Sequence, residues 1–208
     1  MTNFLTKQTF SRMIDAARQK LEANVTELNK LDSATGDGDH GTSIVKAIRA
    51  AAKVTSEVLE EKELKDILYD AGWAVMGEDC GSTSSLIGAF FMGMSEGVSP
   101  EPIDTQGVAA IFEAGLQNVM KQTKAKVGDK TLMDALIPAV AAMKSQSEIQ
   151  TAFQAAAAAA QKGADATKDY VAKFGRARNL GERSIGHIDA GAVSIAYIFG
   201  EFAQHCTE

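Results

Sequence analysis

The sequence has few of the residues that mark sheets, crosslinks and chain breaks. Its 208 residues include three prolines, two cysteines and 6% aromatic side chains. Scarce aromatic residues disfavour a β-protein, because strands are enriched in them, whereas frequent alanine favours helix. Cys80 and Cys206 allow one disulfide but no disulfide framework, which is typical of a reducing compartment. We therefore expect a helical protein.

Positive charge and long apolar runs are scarce as well. The net charge is −6 at pH 7, whereas a nucleic-acid binder needs a basic face. Residues 1–10 lack the apolar segment of a signal peptide. The longest apolar stretch, residues 155–160, is too short to cross a bilayer. These absences predict a cytoplasmic protein with neither a nucleic-acid nor a membrane partner.

Apolar periodicity predicts helices along most of the chain. Apolar residues recur at three- and four-residue steps from Phe10 to Leu28. The pattern predicts seven further helices, over residues 44–58, 63–76, 86–97, 105–122, 129 to about 144, 147 to about 173, and 192–205, with Asp129 as an N-cap. No segment alternates like a strand, and no linker divides the chain. We predict an all-α single domain over residues 1–208, built as a barrel or bundle of eight antiparallel helices.

One irregular segment is the acidic loop, residues 32–43. It contains Asp32, Asp37 and Asp39 within eight residues, with glycines between and after them. Clustered carboxylates repel each other unless a cation lies between them, and oxygen ligands suit Mg²⁺ or Ca²⁺. Thr42 and Ser43 could add hydroxyl and N–H donors at the following helix start. The alternative is a solvated turn that caps this helix, since Asp and Gly dominate ordinary turns.

The other irregular segment is the basic loop, residues 175–191. It concentrates three arginines and a histidine in an acidic protein. The planar fork of arginine matches phosphate oxygens, although a surface salt-bridge network is the alternative. A polyphosphate held by a divalent metal on one side and by arginine on the other would need both loops.

Two shorter segments fit such a ligand. Residues 128–131, Gly-Asp-Lys-Thr, open a predicted helix and could add the cation Lys130. Residues 81–85 have little side-chain bulk, which suits close backbone approach to a ligand, and Cys80 beside them is interpreted as a packing residue. Both segments are equally compatible with ordinary helix starts.

Three motifs resemble the nucleotide-binding L subunit of dihydroxyacetone kinases: residues 36–41, 128–131 and 175–187. The resemblance implies a barrel of eight antiparallel helices with ADP or ATP at one end. It implies two Mg²⁺ ions held by Asp32, Asp37 and Asp39. It also implies the residues that line the nucleotide, namely His40, Gly41, Thr42, Ser43, Ser82, Thr83, Leu132, Arg176, Asp189, Ala190 and Gly191.

The resemblance also implies a function. The chain would serve phosphoryl transfer to a small sugar held in a separate K subunit, with Arg176 and Lys130 offsetting the developing charge. The donor would be ATP, or bound ADP that a phosphohistidine carrier protein recharges; a homodimer is a further option. The alternative is a regulatory module that binds a transcription factor. Residues 80–85 and Ala190 depart from the family pattern, which leaves open whether the sugar is dihydroxyacetone or another small ketose or tetrose.

Overall fold

The computed structural model describes residues 4–57 and 60–207, and α-helices dominate this part of the chain. They are α1 Lys7–Ala23, α2 Val25–Ser33, α3 His40–Glu57, α4 Leu64–Met76, α5 Gly81–Gly97, α6 Thr105–Gln122, α7 Met133–Met143, α8 Ile149–Ala166 and α9 Ala190–His205. Two 3₁₀ segments, Thr167–Asp169 and Arg176–Ser184, lie between α8 and α9. Within the described ranges, β pairing is limited to one isolated bridge between Leu5 and Ile103. The predicted all-α class is confirmed.

Eight of these helices close into a ring. Going round it, α1 packs on α3, α3 on α4, and so on in chain order to α9, which packs back on α1. The short α2 packs on α3 and α9 instead of forming a stave of its own. Neighbours joined by short connections run in opposite directions. The N-termini of α3, α5, α7 and α9 therefore lie at the same end of the barrel.

Phenylalanine rings fill the interior of the barrel. The Phe112 ring centroid lies 5.4 Å from that of Phe153, 5.7 Å from that of Phe199 and 6.1 Å from that of Phe202. Edge-to-face pairs of this kind stabilise a core beyond their buried area. All four rings are buried. Because the small cavity that remains inside the barrel is lined by apolar side chains, we expect a polar ligand at an end of the barrel.

The first predicted helix is interrupted at Asn24. The Asn24 side chain donates a 2.7 Å hydrogen bond to the Lys20 carbonyl, and its backbone N–H bonds to Leu21. Short amide side chains compete with the helical hydrogen bonds in this way. The periodicity of residues 10–28 is real, but it belongs to two helices.

The sixth predicted helix begins later than expected. Asp129 is not its N-cap, because Gly128 (φ 94°) and Lys130 (φ 59°) are left-handed and α7 starts only at Met133. The Asp134 carboxylate instead accepts from the amides of Gly128 (2.6 Å) and Thr131 (2.7 Å).

The other boundaries differ less. The helices α3 and α5 each begin about a turn earlier than predicted, and α8 ends at Ala166, short of residue 173. Val58, predicted as the end of one helix, lies outside the described residues. Both cysteines are buried free thiols. For the part of the chain that is described, no helix has the length and hydropathy needed to cross a membrane.

Candidate functional site

The acidic loop folds back on Asp32. The Asp32 carboxylate accepts from the backbone N–H groups of Gly38 (2.8 Å) and Asp39 (3.1 Å). One carboxylate oxygen from each of Asp32, Asp37 and Asp39 lies within 4.8 Å of the others. Asp37 and Asp39 are exposed and Asp32 is half-buried. The three residues predicted as metal ligands are therefore close together, and their oxygens suit a hard divalent cation.

Two glycines allow this conformation of the acidic loop. A Cβ atom at Gly36 would lie 2.5 Å from an Asp32 carboxylate oxygen, so a larger residue would push the loop open. A Cβ atom at Gly41 would lie 2.3 Å from the Val25 carbonyl, where α3 begins against α2. Glycine permits both close approaches because it has no side chain.

Asn29 on α2 fixes the start of α3, a contact that the sequence analysis missed. Its amide oxygen accepts from the Thr42 N–H, and its amide nitrogen donates to the Thr42 hydroxyl, both at 3.1 Å. The Thr42 hydroxyl hydrogen remains available to an acceptor beyond the helix. Asn29 precedes Asp32 by three residues on one helix, a spacing that offers a weak signal of a shared face.

His40 joins the starts of α3 and α9. Its Nε2 atom lies 3.1 Å from the Ser194 hydroxyl, which in turn donates to the Gly191 carbonyl at 2.8 Å. Because this hydroxyl gives its hydrogen to Gly191, His40 donates from Nε2. Burial lowers the pKa of His40, against the charges of Asp32 and Asp39. His40 is thus a neutral, oriented imidazole near neutral pH.

The basic loop touches the acidic loop directly. An Arg176 guanidinium nitrogen lies 2.6 Å from an Asp37 carboxylate oxygen. Gly175 (φ 61°) immediately precedes the 3₁₀ segment Arg176–Ser184, and Gly181 (φ 55°) interrupts it. Arg176 is 68% exposed, so its guanidinium is open to a ligand as well as to Asp37. The two loops singled out for opposite charge are thus neighbours.

Lys130 lies inside the protein and not at the open end. It is 2% exposed, and its ammonium donates to the backbone carbonyls of Thr167 (2.5 Å) and His187. Burial lowers the pKa of Lys130, while the nearby carboxylates of Asp189 and Asp134 act in the opposite direction. The amine predicted to offset charge in the reaction thus holds the backbone of the basic loop.

Residues 167–173 complete this attachment. Lys173 bonds to Asp129 through both its side chain (2.7 Å) and its backbone N–H (3.1 Å). Although burial raises the pKa of Asp129, its bonds to Lys173 and Lys126 hold that pKa below its ordinary value. The Ala172 N–H donates to the Ser184 hydroxyl at 2.9 Å. Residues 128–131 are therefore anchored to the basic loop, a contact that local sequence did not reveal.

The start of α9 combines a cap with a close approach. Asp189 accepts from the Ala192 N–H at 2.7 Å, and its own N–H donates to the Thr167 hydroxyl at 2.9 Å. Burial raises the pKa of Asp189 to about 7. A Cβ atom at Gly191 would lie 3.3 Å from that of Leu132. Leu132, Ala190 and Gly191 thus lie together at the starts of α7 and α9.

At the start of α5, the serines that depart from the family pattern make hydrogen bonds within the helix. The hydroxyls of Ser84 and Ser85 both donate to the Gly81 carbonyl, at 3.1 Å and 3.3 Å. Ser82 is exposed and Thr83 half-buried. Burial raises the pKa of Cys80. The helix α5 packs on α3, the helix into which the acidic loop leads. A buried thiol with a raised pKa is a packing residue and not a nucleophile.

These contacts bring four helix starts to one end of the barrel. The acidic loop leads into α3, His40 links α3 to α9, Leu132 links α7 to α9, and α5 packs on α3. Helix N-termini present free N–H groups and favour negative charge. Carboxylates for a cation beside amides and arginine for an anion suit a metal–polyphosphate.

The chain is similar to proteins of known family. The model of a protein family described as the DAK2 domain matches residues 34–204. The ADP-binding subunit DhaL of a PEP-dependent dihydroxyacetone kinase from Listeria innocua is 36% identical over 193 residues, which cover 93% of each chain. An L-erythrulose kinase from Pectobacterium atrosepticum is 39% identical over 89% of this chain but only 32% of its own length.

The fold is also similar to that of a solved structure. The dihydroxyacetone kinase from C. freundii in complex with AMP-PNP and Mg²⁺ superposes with a TM-score of 0.72 and 26% identity over 93% of this chain. The chain spans about a third of that kinase, and the match covers 33% of it. With the family model covering most of the barrel and the site, the chain belongs to the DAK2 domain family.

Proposed function

We propose that this chain binds a magnesium–adenine nucleotide at the end of the barrel where the loops meet, and that it serves phosphoryl transfer to a small ketose. The observation that carries the proposal is the approach of Asp32, Asp37 and Asp39 to within 4.8 Å, beside Arg176. Relatives named as ADP-binding subunits and as erythrulose kinases support a three- or four-carbon sugar.

Two Mg²⁺ ions would be held by Asp32, Asp37 and Asp39, and the bound metal would neutralise phosphate charge. The Mg²⁺ complex of the C. freundii kinase supports a magnesium site. The chain also supplies hydrogen-bond donors for the phosphate oxygens. Hydroxyls and amides come from Thr42, Ser43, Ser82 and Thr83, at the starts of α3 and α5. These groups would bind phosphate oxygens and orient them.

Arg176 has two partners in this proposal. Its guanidinium contacts Asp37 at 2.6 Å. A nucleotide phosphate offers it a stronger, bidentate partner, and Asp37 is then free for the metal. Arg176 would therefore offset the charge of the transferred phosphoryl group. Lys130 would act indirectly, because its ammonium is buried against two carbonyls.

The nucleoside would rest against the starts of α7 and α9. Leu132 and Gly191 approach each other there, and Ala190 is buried beneath them. A small, flat, apolar surface suits one face of adenine. Asp189 would border the ribose, and Gly41 and His40 would line the opposite side of the nucleotide.

A separate K subunit would hold the sugar, because the cavity inside the barrel is small and lined by apolar side chains. The phosphoryl donor would be ATP, or ADP recharged by a phosphohistidine carrier. Relatives from Listeria innocua and Escherichia coli named as PEP-dependent support the second route. An assay with the K subunit that compares ATP with PEP-driven phosphate separates the two. We also propose that residues 1–208 form one domain, supported by a single core cluster that extends from Leu5 to Cys206.

The metal site is tested by Asp37→Ala. We expect calorimetry to show no Mg–ADP binding to this variant, while circular dichroism shows unchanged helicity. The matched control is Asp165→Ala, which removes an exposed carboxylate on α8. Unchanged Mg–ADP affinity in Asp37→Ala would contradict the metal assignment.

A further inference from the structure

One face of α4 exposes large apolar side chains. Trp73 is 56% exposed, Tyr69 45% and Met76 37%. They occupy successive turns of the helix, and the Tyr69 and Trp73 rings meet edge to face with centroids 6.4 Å apart. We name these three residues the α4 face.

The side chains of the α4 face lie outside the core cluster, although Met76 also packs against Gly88 on α5. The opposite side of the helix supplies Leu64, Leu68 and Val75 to the core and packs on α3 and α5. A contiguous exposed apolar surface with two aromatic rings is typical of an interface, where tryptophan and tyrosine provide much of the binding energy.

The α4 face leads to the nucleotide end of the barrel. The helix ends at Met76, and residues 77–80 connect it directly to the start of α5. The helix α5 packs on α3, which follows the acidic loop directly. A protein bound to the α4 face would therefore reach the rim of the proposed phosphoryl-transfer site.

The charge around this face specifies the partner. Residues 57–79 contain eight carboxylates and two lysines, an excess as large as the net charge of −6 of the whole chain. Asp66 is exposed on α4, and one of the two lysines, Lys62, is already paired with Asp70. A complementary partner presents an apolar pocket bordered by arginine or lysine.

We propose that the α4 face docks the protein that holds the sugar, through an apolar pocket with a basic rim. This inference rests on the proposed function, because the sugar must be carried to the nucleotide end by another protein. The tryptophan anchors the complex, and the acidic surroundings orient the partner as it approaches.

Trp73 is the only tryptophan in the chain, so its fluorescence reports directly on this surface. Titration with the purified K subunit, read against K subunit alone, should shift its emission. In Trp73→Ala, calorimetry should show K-subunit affinity about thirtyfold weaker, as for a central aromatic anchor. The KM for the K subunit should rise in step, while Mg–ADP affinity of the isolated chain stays unchanged. Higher salt should weaken docking to the unsubstituted chain.

The matched control is Met120→Ala, because Met120 is 46% exposed on α6. This variant should bind the K subunit normally. Normal binding by Trp73→Ala, or loss of self-association alone, would overturn the docking assignment. If the unsubstituted chain supports no phosphoryl transfer with the K subunit, the proposed function has failed instead, so the two failures are distinguishable.

Discussion

The acidic loop and residues 128–131 look alike in the sequence but behave differently in the structure. Each contains charged side chains beside glycine, just before a helix. In the acidic loop, Asp37 and Asp39 are exposed. In residues 128–131, Asp129 is 3% exposed and Lys130 2%. One segment presents its charges to the outside, and the other has buried them.

The difference is one of satisfied hydrogen bonds. The ammonium of Lys130 donates to the carbonyls of Thr167 and His187, and the carboxylate of Asp129 accepts from Lys173. A buried charge without such partners is strongly unfavourable, so these groups cannot turn to a ligand without a large cost. The carboxylates of the acidic loop repel each other and gain from a cation. The same residue types thus stabilise the fold in one place and favour ligand binding in the other.

The largest expected effect is on Lys130. Lys130→Met removes the ammonium but keeps the length of the side chain. It takes this donor from the His187 carbonyl and leaves the Thr167 carbonyl with only the Tyr170 N–H. We expect the free energy of unfolding to fall by about 3 kcal/mol, as for a broken buried charge contact. Urea unfolding measures this change, and Asp37→Asn, at an exposed site, should leave stability within about 0.5 kcal/mol. A stable Lys130→Met variant with impaired catalysis would indicate that Lys130 acts directly in phosphoryl transfer.

The sequence was sufficient to predict the barrel and the acidic loop, because both depend on local pattern. Helical periodicity is carried by neighbouring residues, and Asp32, Asp37 and Asp39 lie within eight residues of the sequence. The burial of Lys130 depends on Thr167 and His187, which are distant in the chain and lack any side-chain pattern that marks their carbonyls. The break between α1 and α2 at Asn24 could not be predicted, because the apolar periodicity continues across it.

The next largest effect concerns the affinity of the acidic loop for Mg–ADP. Asp39→Asn keeps the shape of the side chain and removes one charge from the cluster. We expect Mg–ADP affinity to fall by about 2 kcal/mol, the order of a lost charge-assisted interaction. Thermal stability without metal should stay equal or rise, since like-charge repulsion is relieved. Calorimetry and thermal unfolding in EDTA measure the two effects, and a large loss of stability would show that Asp39 is structural.

A pH titration tests the carboxylate of Asp189, whose charge acts on Lys130. Because the folded pKa of Asp189 is about 7, the folded chain holds a proton there that the unfolded chain, with an ordinary carboxyl, has lost. Stability should therefore fall as pH rises, by about 1.4 kcal/mol between pH 6 and 8 from this group alone. Comparison with Asp189→Asn in metal-free buffer isolates this contribution from the histidines. Equal pH dependence in both proteins would mean that Asp189 is an ordinary exposed acid.

The smallest effect concerns the contact between the two loops. The Arg176–Asp37 ion pair is largely exposed, so Arg176→Ala should change stability by less than about 1 kcal/mol. Its nucleotide affinity should fall about tenfold, because a phosphate partner is lost. Arg178→Ala is the matched control, an exposed arginine two residues along the same loop. If Arg178→Ala has the same effect as Arg176→Ala, the loop acts through its overall charge. If only Arg176→Ala weakens binding, the contact with Asp37 marks where the phosphate is held, and the exposed charges of the two loops form one site.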